Sequence, residues 1–323
     1  MSNNNLEMSD IQWAGNKDHD LITFSWDIID MCQYKCTYCS AVDFNKHSFD
    51  ENDRNAWKGV IRRLSLKLIK APFVVEILGG EPTLHPDILI ILEELNKIQN
   101  CQRVELITNL AKPQKYFEQF NSDKYNKLVI GPSYHPEYYS DAFLNKIINL
   151  DKLEHIVIGP NVNLSDNKEH WEMTTRFLEQ CVEHNIQYGL NFLQKVGESW
   201  KPNYTQEFWE YFEEWLNHKA VPPRRTGAHE NILGTSIKHG TRDKEYTLGE
   251  REIVQYNLRQ FKGWKCKPMM YYINMNGQIT NICTDEVVPT LITTQDLVKE
   301  RVCPLDCCDC DLKYYFYKER PEQ

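Results

Sequence analysis

The sequence lacks the features of a secreted, membrane-spanning or nucleic-acid-binding protein. Its start, MSNNNLEMSD, has no basic segment followed by an apolar run and does not resemble a signal peptide. No segment approaches the roughly 18 consecutive apolar residues of a membrane span. Lys and Arg total 37 against 46 Asp and Glu, a formal charge of −9, whereas polyanion binding needs clustered positive charge. We therefore expect a cytoplasmic protein with no membrane and no nucleic acid as partner.

The 11 cysteines are clustered along the chain. Three lie between positions 32 and 39, six lie between 266 and 310, and only Cys101 and Cys181 stand apart. In a reducing compartment such clusters indicate metal binding or catalysis more than disulfides. Cys101 and Cys181 are most simply core or surface thiols.

Strand-like and amphipathic helix-like segments alternate between about residues 20 and 195. Such alternation is typical of parallel βα units, which form either an open doubly wound sheet or a partial barrel. Length alone does not decide between the two. The predicted strands are Leu21–Ile28, Phe73–Leu78, Arg103–Thr108, Leu128–Tyr134, His155–Val162 and Ile186–Leu193.

In both architectures the ligand binds at the carboxyl ends of the strands. The chemically notable residues follow the first four predicted strands. They are the three-cysteine group, Gly79-Gly80-Glu81-Pro82, Thr108-Asn109 and Ser133-Tyr134-His135. We therefore expect them to converge on one side of the sheet.

Cys32, Cys36 and Cys39 form a Cys-x3-Cys-x2-Cys run. Three thiolates over so short a loop can ligate three irons of a cubane [4Fe–4S] cluster and leave the fourth open to a small molecule. Structural zinc normally takes four protein ligands. A zinc site completed by a distant residue is the alternative, and His47 is the histidine nearest to the loop.

The cysteine run after the first strand and the Gly79–Pro82 motif after the second resemble the radical S-adenosylmethionine (SAM) superfamily. The resemblance implies a partial (β/α)6 TIM-type barrel, in agreement with the six βα units. It also implies a [4Fe–4S] cluster on Cys32, Cys36 and Cys39, with SAM as the ligand of the open iron. The expected reaction is reductive cleavage of SAM to a 5′-deoxyadenosyl radical that abstracts a substrate hydrogen.

The same resemblance assigns further SAM contacts. Tyr38 is expected to lie against the adenine. Gly79, Gly80, Glu81 and Pro82 are expected to contact the methionine amino group, since glycines permit close backbone approach and a carboxylate accepts from an ammonium.

Other residues at strand ends carry open alternatives. Thr108 and Asn109 could bond the SAM carboxylate or ribose, or simply end a strand. Ser133 is expected to contact SAM by analogy with polar residues at this strand in the family. His135 is either a turn residue or a proton-transfer group. The candidates for lining the substrate cavity are Asn161, Asn163, Asn191 and Lys195.

The chain divides into four predicted segments. Residues 1–19 are a polar extension, 20–195 the partial barrel, 196–245 a linker or lid, and 246–323 a small cysteine-rich unit. In the last segment we expect a helix from Thr247 to Phe261. A hairpin of Met269–Met275 and Gln278–Cys283 should follow, turning at Asn276-Gly277.

The C-terminal cysteines resemble the twitch or SPASM extension of many radical SAM enzymes, which binds auxiliary [4Fe–4S] clusters. A full SPASM set has seven or more cysteines, so the six here favour one auxiliary cluster, with structural zinc as the alternative. Cys266 and Cys283 are the firmest expected ligands. The remaining ligands must come from Cys303, Cys307, Cys308 and Cys310.

Two substrate classes remain open for such an enzyme. The first is a sugar or aminocyclitol-type small molecule, which the enzyme would oxidise, epimerise or rearrange, and the second is a ribosomally made peptide. Without an obvious leader-binding segment, we favour the small molecule. An electron donor such as flavodoxin or ferredoxin is the expected protein partner. A zinc-binding interaction protein is the alternative from another functional class.

Overall fold

The computed structural model describes residues 7–15, 21–39, 51–66, 69–193, 204–217, 237–241, 244–248, 256–281, 283, 286–289, 293–306, 308 and 317–321. The strands are β1 (Trp13–Ala14), β2 (Ile22–Ile29), β3 (Phe73–Gly79), β4 (Cys101–Thr108), β5 (Leu128–Tyr134), β6 (Val157–Ile158), β7 (Asn161–Leu164), β8 (Gly189–Phe192), β9 (Ile237–Gly240), β10 (Glu245–Leu248), β11 (Lys265–Cys266), β12 (Met270–Ile273), β13 (Ile279–Asn281), β14 (Arg301–Val302) and β15 (Lys318–Glu319).

The helices alternate with the strands in the first half of the chain. They are α1 (Glu51–Ser65), α2 (Ile88–Lys97), α3 (Gln114–Glu118), α4 (Asp141–Asp151), α5 (Trp171–Glu183), α6 (Gln206–Tyr211), α7 (Glu213–Asn217) and α8 (Thr294–Leu297). Short 3₁₀ turns lie at Pro82–Leu84, Asp123–Tyr125, Pro136–Tyr138 and Lys168–His170.

The main sheet has the order β13-β12-β2-β3-β4-β5-β7-β8, with β6 paired to β5. All neighbours are parallel except β12 and β13. This open parallel sheet with connecting helices confirms the predicted α/β fold of the partial TIM-type barrel. The predicted strand His155–Val162 is two short strands, because Pro160 between them has no N–H to donate to a ladder.

The two faces of this sheet differ in polarity. Residues on one face are apolar and form the main core with the helices; they include Phe24, Trp26, Val75, Ile77, Val104 and Leu106. The ladder register places Ser25, Glu76 and Glu105 side by side on the other face. There Arg103 and Glu105 form a buried ion pair of 2.6 Å. The sheet therefore has an apolar outer face and a polar inner face.

The C-terminal hairpin extends the main sheet. Strand β12 pairs in parallel with β2, so that Tyr272 lies beside Ser25. The hairpin turns at Asn274–Gly277, in agreement with the predicted turn. Gly277 has a φ of +74°, and its carbonyl accepts from Arg63 of α1. The turn is thus anchored on the first helix.

A second sheet has the order β10-β9-β1-β15-β11-β14, and all of its pairs are antiparallel. It joins strands from three of the predicted segments, whose boundaries stay predictions. The predicted helix Thr247–Phe261 is wrong at its start, where Thr247 and Leu248 belong to β10. It is also wrong at its end, where residues 256–259 form turns, whereas its middle, residues 249–255, lies outside the described residues.

No helix in the part of the chain that the structure describes combines the length and apolar character needed to cross a membrane.

His85 holds the connection between β3 and α2. The Asp87 N–H donates to His85 Nδ1 at 3.1 Å, and the Asp87 carboxylate accepts from Trp57 Nε1 at 3.2 Å and from Arg54. Burial lowers the pKa of His85 to about 4, although Asp87 acts in the opposite direction. At a pH between about 4 and 6.5, the imidazole is therefore neutral in the folded protein but protonated in the unfolded chain.

This shift predicts acid sensitivity. As the pH falls, His85 is protonated in the unfolded chain before it is protonated in the folded protein. The contribution of neutral His85 to stability is therefore fully present above a pH of roughly 6.5 and is lost as the pH drops towards 4. We expect the His85 contribution to lower the free energy of unfolding by about 2 kcal/mol between about pH 7 and pH 5. Urea unfolding of wild type and of His85→Asn, which keeps a hydrogen-bond acceptor, gives the free energy of unfolding of each at several pH values. The His85 contribution is the difference between the two slopes of this free energy against pH. Equal slopes would contradict the prediction.

Candidate functional site

The end of β2 and the Gly79-Gly80 pair approach each other closely. The Gly80 N–H donates to the Ile29 carbonyl at 2.7 Å, and the Glu81 N–H donates to the Met31 carbonyl at 2.8 Å. A Cβ atom on Gly79 would lie 2.2 Å from the Ile29 oxygen, and one on Gly80 would lie 2.2 Å from the Met31 oxygen. Gly79 also has a φ of +122°. Both glycines are required by the backbone that leads into Cys32.

Backbone and amide donors surround the first cysteine. The Tyr34 N–H lies 3.4 Å from Cys32 Sγ, and Asn109 Nδ2 lies 3.7 Å from the same sulfur. Gln33 Nε2 donates to Asn109 Oδ1 at 3.0 Å. From the sequence, Asn109 is a candidate SAM contact only because it follows β4. In the structure its side chain connects the end of β4 to the cysteine loop.

The 3₁₀ turn Pro136–Tyr138 braces the other side of the loop. The Lys35 N–H donates to the Tyr138 hydroxyl at 2.8 Å, and the Thr37 N–H donates to Glu137 Oε2 at 3.0 Å. The Tyr34 and Tyr138 rings stack with centroids 4.1 Å apart. Sequence reasoning missed Glu137 and Tyr138, because their partners lie about a hundred residues away along the chain.

His135 lies against two residues of the cysteine loop. Its Nδ1 is 3.0 Å from the Tyr38 hydroxyl and 3.5 Å from Cys36 Sγ, and its ring stacks on Tyr38. Burial lowers the pKa of His135 to about 4. A neutral imidazole can accept from the tyrosine or donate to the sulfur, depending on its tautomer. The structure therefore places His135 as a neighbour of a predicted cluster ligand.

Glu81 is buried and links β3 to β4. Its Oε1 accepts from the Thr83 N–H at 3.0 Å, from the Thr83 hydroxyl, and from Thr108 Oγ1 at 2.7 Å; its Oε2 accepts from the Asn109 N–H at 2.7 Å. A carboxylate has about four lone-pair sites. These contacts favour a structural role, and the predicted contact with a methionine amino group stays a prediction.

The remaining candidates fall into two groups. Ser133 lines a crevice of about 10 Å³ together with Tyr34, Asn109 and His135, so the predicted strand-end residues do converge. Asn191 Nδ2 donates to Asn163 Oδ1 at 2.8 Å, and Asn163 Nδ2 donates to the Tyr134 carbonyl at 3.0 Å. These two amides link strands, as does Asn161 through its ladder with Ser133. Lys195 and His47 lie outside the described residues.

Two thiols of the loop, those of Cys32 and Cys36, resist ionisation in the absence of metal. Burial raises the pKa of Cys32, and Glu81 and Cys39 raise it further. Burial, Cys39 and Glu137 together raise the pKa of Cys36 to about 12. Iron bound by the sulfurs would stabilise the thiolates that this environment otherwise disfavours. Three neighbouring cysteines with N–H donors at Cys32 fit an iron–sulfur cluster.

A second group of cysteines lies in the antiparallel sheet region. Cys266, Cys303 and Cys308 are buried, and burial, Cys308 and Cys303 raise the pKa of Cys266 to about 11 while Lys318 lowers it. The Cys303 N–H bonds to the Trp264 carbonyl and the Cys308 N–H to the Arg259 carbonyl, both at 2.8 Å. Cys283 is half-buried, and Cys307 and Cys310 lie outside the described residues.

Within the described ranges, no three histidine, cysteine, aspartate or glutamate side chains converge on a single metal-ion position.

Comparison with known proteins decides the family. The profile of the radical SAM superfamily matches residues 26–187, which make up half of the chain. The chain belongs to the radical SAM superfamily. Members of this superfamily bind a [4Fe–4S] cluster together with SAM.

Curated relatives of the radical SAM chain are GTP 3′,8-cyclases. That of Mannheimia succiniciproducens is 32% identical over 98 residues, 29% of this chain and 27% of the relative. That of Limosilactobacillus fermentum is 25% identical over 201 residues, 58% of each chain. The matches thus span between about a quarter and just over half of the curated relatives' lengths.

Solved structures show the shared fold. SuiB of Streptococcus suis bound to its precursor peptide SuiA superposes with a TM-score of 0.54 at 15% identity, over 80% of this chain and 58% of SuiB. The enzyme anSMEcpe with bound SAM superposes with a TM-score of 0.52 at 13% identity, over 86% and 80% of the two chains.

The close approach of Gly80 to the backbone after β2 can be tested by adding one methyl group to it. In Gly80→Ala the new Cβ would meet backbone oxygen that cannot move aside, and overpacking of this kind costs about 1–3 kcal/mol or more. We expect lower free energy of unfolding and lower iron content. Gly59→Ala is the matched control, because Gly59 lies in α1 with no atom near its Cβ position. There alanine should stabilise by about 0.5–1 kcal/mol.

The Glu81 link predicts a difference between two substitutions of Thr108. Thr108→Val keeps the shape but removes the donor to a buried carboxyl, at an expected cost of about 1–3 kcal/mol in the free energy of unfolding. Thr108→Ser keeps the hydroxyl and should cost about 1 kcal/mol or less. Denaturant unfolding measures both. A valine variant as stable as the serine variant would argue against the link.

Proposed function

We propose that this radical SAM enzyme acts on a polar small molecule of sugar or aminocyclitol type, which it oxidises, epimerises or rearranges. The observation that carries the proposal is the polar inner face of the main sheet. Hydroxyl-rich molecules are recognised by hydrogen bonds to carboxylates and amides. This face carries Glu105, Asn163 and Asn191, whose carboxylate and amide groups have further hydrogen-bonding sites besides the contacts that hold them in place.

In this proposal Cys32, Cys36 and Cys39 hold the cluster, and SAM binds beside it. When bound, the two supply a 5′-deoxyadenosyl radical that abstracts a hydrogen atom from a substrate carbon. The chain's own residues position the site. Asn109 and the Tyr34 N–H donate towards Cys32, and Tyr38 is held by His135.

The C-terminal cysteines supply the second part of the proposal. We assign one auxiliary [4Fe–4S] cluster to Cys266, Cys283 and further ligands among Cys303, Cys307, Cys308 and Cys310. Besides burial, Cys308 and Cys303 raise the pKa of Cys266, which supports their proximity to it. A low-potential carrier of flavodoxin or ferredoxin type in the cytoplasm would provide the electrons.

The charges on the inner face of the sheet bear on the choice between a nucleotide and a neutral or amine-bearing substrate. GTP carries a triphosphate, which needs cationic partners, and Arg103 on the described inner face is already paired with Glu105 at 2.6 Å. This pairing favours a neutral or amine-bearing molecule over a nucleotide. Peptide maturation remains the second candidate, because SuiB, a structural neighbour, has been solved with its precursor peptide.

Anaerobic turnover tests the proposal. The reduced protein should contain iron and convert SAM to 5′-deoxyadenosine, faster with an aminocyclitol or amino sugar than with GTP or without substrate. Cys36→Ala should abolish 5′-deoxyadenosine formation, whereas Cys181→Ala, which removes a buried thiol of α5, should retain it. Zinc in place of iron would overturn the function, and stimulation by GTP or peptides alone would overturn the substrate class.

A further inference from the structure

A cavity of about 190 Å³ lies where the end of β2, the glycine pair and the C-terminal hairpin meet. This volume far exceeds the space that one water molecule occupies, so a ligand group can enter it. Its described lining consists of Asp27, Ile29, Asp30, Gly79, Gly80, Tyr272, Asn274, Met275 and Asn276.

Two carboxyl groups in this lining have an unpartnered buried oxygen. The Tyr272 hydroxyl donates to Asp27 Oδ2 at 2.5 Å, but Asp27 Oδ1 has no hydrogen-bond partner. Asp30 is 5% exposed, and its Oδ2 also has no partner. Buried polar atoms of native proteins are almost always paired, so two orphaned acceptors on one cavity indicate a missing donor.

The charge of the lining selects the kind of donor. None of its described residues is basic. A phosphate or carboxylate would be repelled by the two acids. A metal ion would need a third ligand, and no such group of three lies in the described part of the chain. A primary ammonium offers three donors and the opposite charge.

The walls of the cavity are held by the rest of the fold. Asn274 Oδ1 accepts from the Gln278 N–H at 2.9 Å, and the Gly277 carbonyl accepts from Arg63 of α1. Asp30 lies between Ile29 and Met31, whose carbonyls are fixed by the glycine loop. The two acids are therefore presented by rigid backbone, as a binding site requires.

We propose that this cavity is an ammonium subsite, in which Asp27 and Asp30 bind a primary amine. The amine belongs to the substrate. This inference rests on the function proposed above.

Equilibrium binding to cluster-loaded protein under anaerobic conditions tests the subsite without turnover. The probes are SAM, glucosamine and N-acetylglucosamine, which has the same ring but no positive charge. We expect Asp27→Asn and Asp30→Asn each to weaken glucosamine binding by about tenfold or more and to leave SAM binding unchanged, because a hydrogen bond between charged groups is lost only to the substrate amine. Asp123→Asn is the control, since it removes a carboxylate whose side chain is 91% exposed.

A loss of glucosamine affinity in the variants with SAM affinity unchanged, together with weaker binding of N-acetylglucosamine to wild type, supports the proposal. A loss of SAM affinity would place the methionine amine of SAM in the cavity and overturn the proposal. The proposal is also overturned if both variants bind glucosamine as wild type does. It is also overturned if the variants fold poorly and wild type binds glucosamine no better than N-acetylglucosamine. Formation of 5′-deoxyadenosine by the same preparation tests the proposed function separately.

Discussion

The close approach between the end of β2 and the Gly79-Gly80 pair is the constraint on which the site depends. Two backbone hydrogen bonds of 2.7 and 2.8 Å join these chain segments, and no Cβ atom fits between them. The segment that follows carries Cys32, so its direction as it leaves the sheet is set by these bonds. The glycines act first on the protein's own backbone, and only through it on any ligand.

A second layer of contacts orients the cysteine loop from the neighbouring strands. Asn109 reaches it from β4, and Glu137 and Tyr138 reach it from the turn after β5. Glu81 joins β3 to β4 beneath it. The loop is thus supported by three successive strand ends, which is the geometry that parallel βα units provide at their carboxyl edge.

The sequence predicted those parts of the structure that leave a local pattern. Strand β5 was predicted with its observed bounds, and the motif residues indeed meet at one edge of the sheet. Strands β1 and β15 have two residues each, too few for a period of two to be visible. The stacking of Tyr34 on Tyr138 and the donors to Glu81 arise from residues far apart in sequence. The helix expected from Thr247 was wrong at its start because its apolar spacing could not reveal that Thr247 pairs with Lys238 in an antiparallel ladder.

The position of β12 has a consequence for how the chain is made. Strand β2 is flanked by β3 on one side and by β12 on the other, and β12 is about 240 residues further along the chain. During synthesis, one hydrogen-bonding edge of the first barrel strand therefore stays open until most of the polypeptide has left the ribosome. An exposed strand edge is a template for wrong pairing. Nascent chains of this protein should accordingly be prone to mispairing at this edge until the C-terminal hairpin has been synthesised.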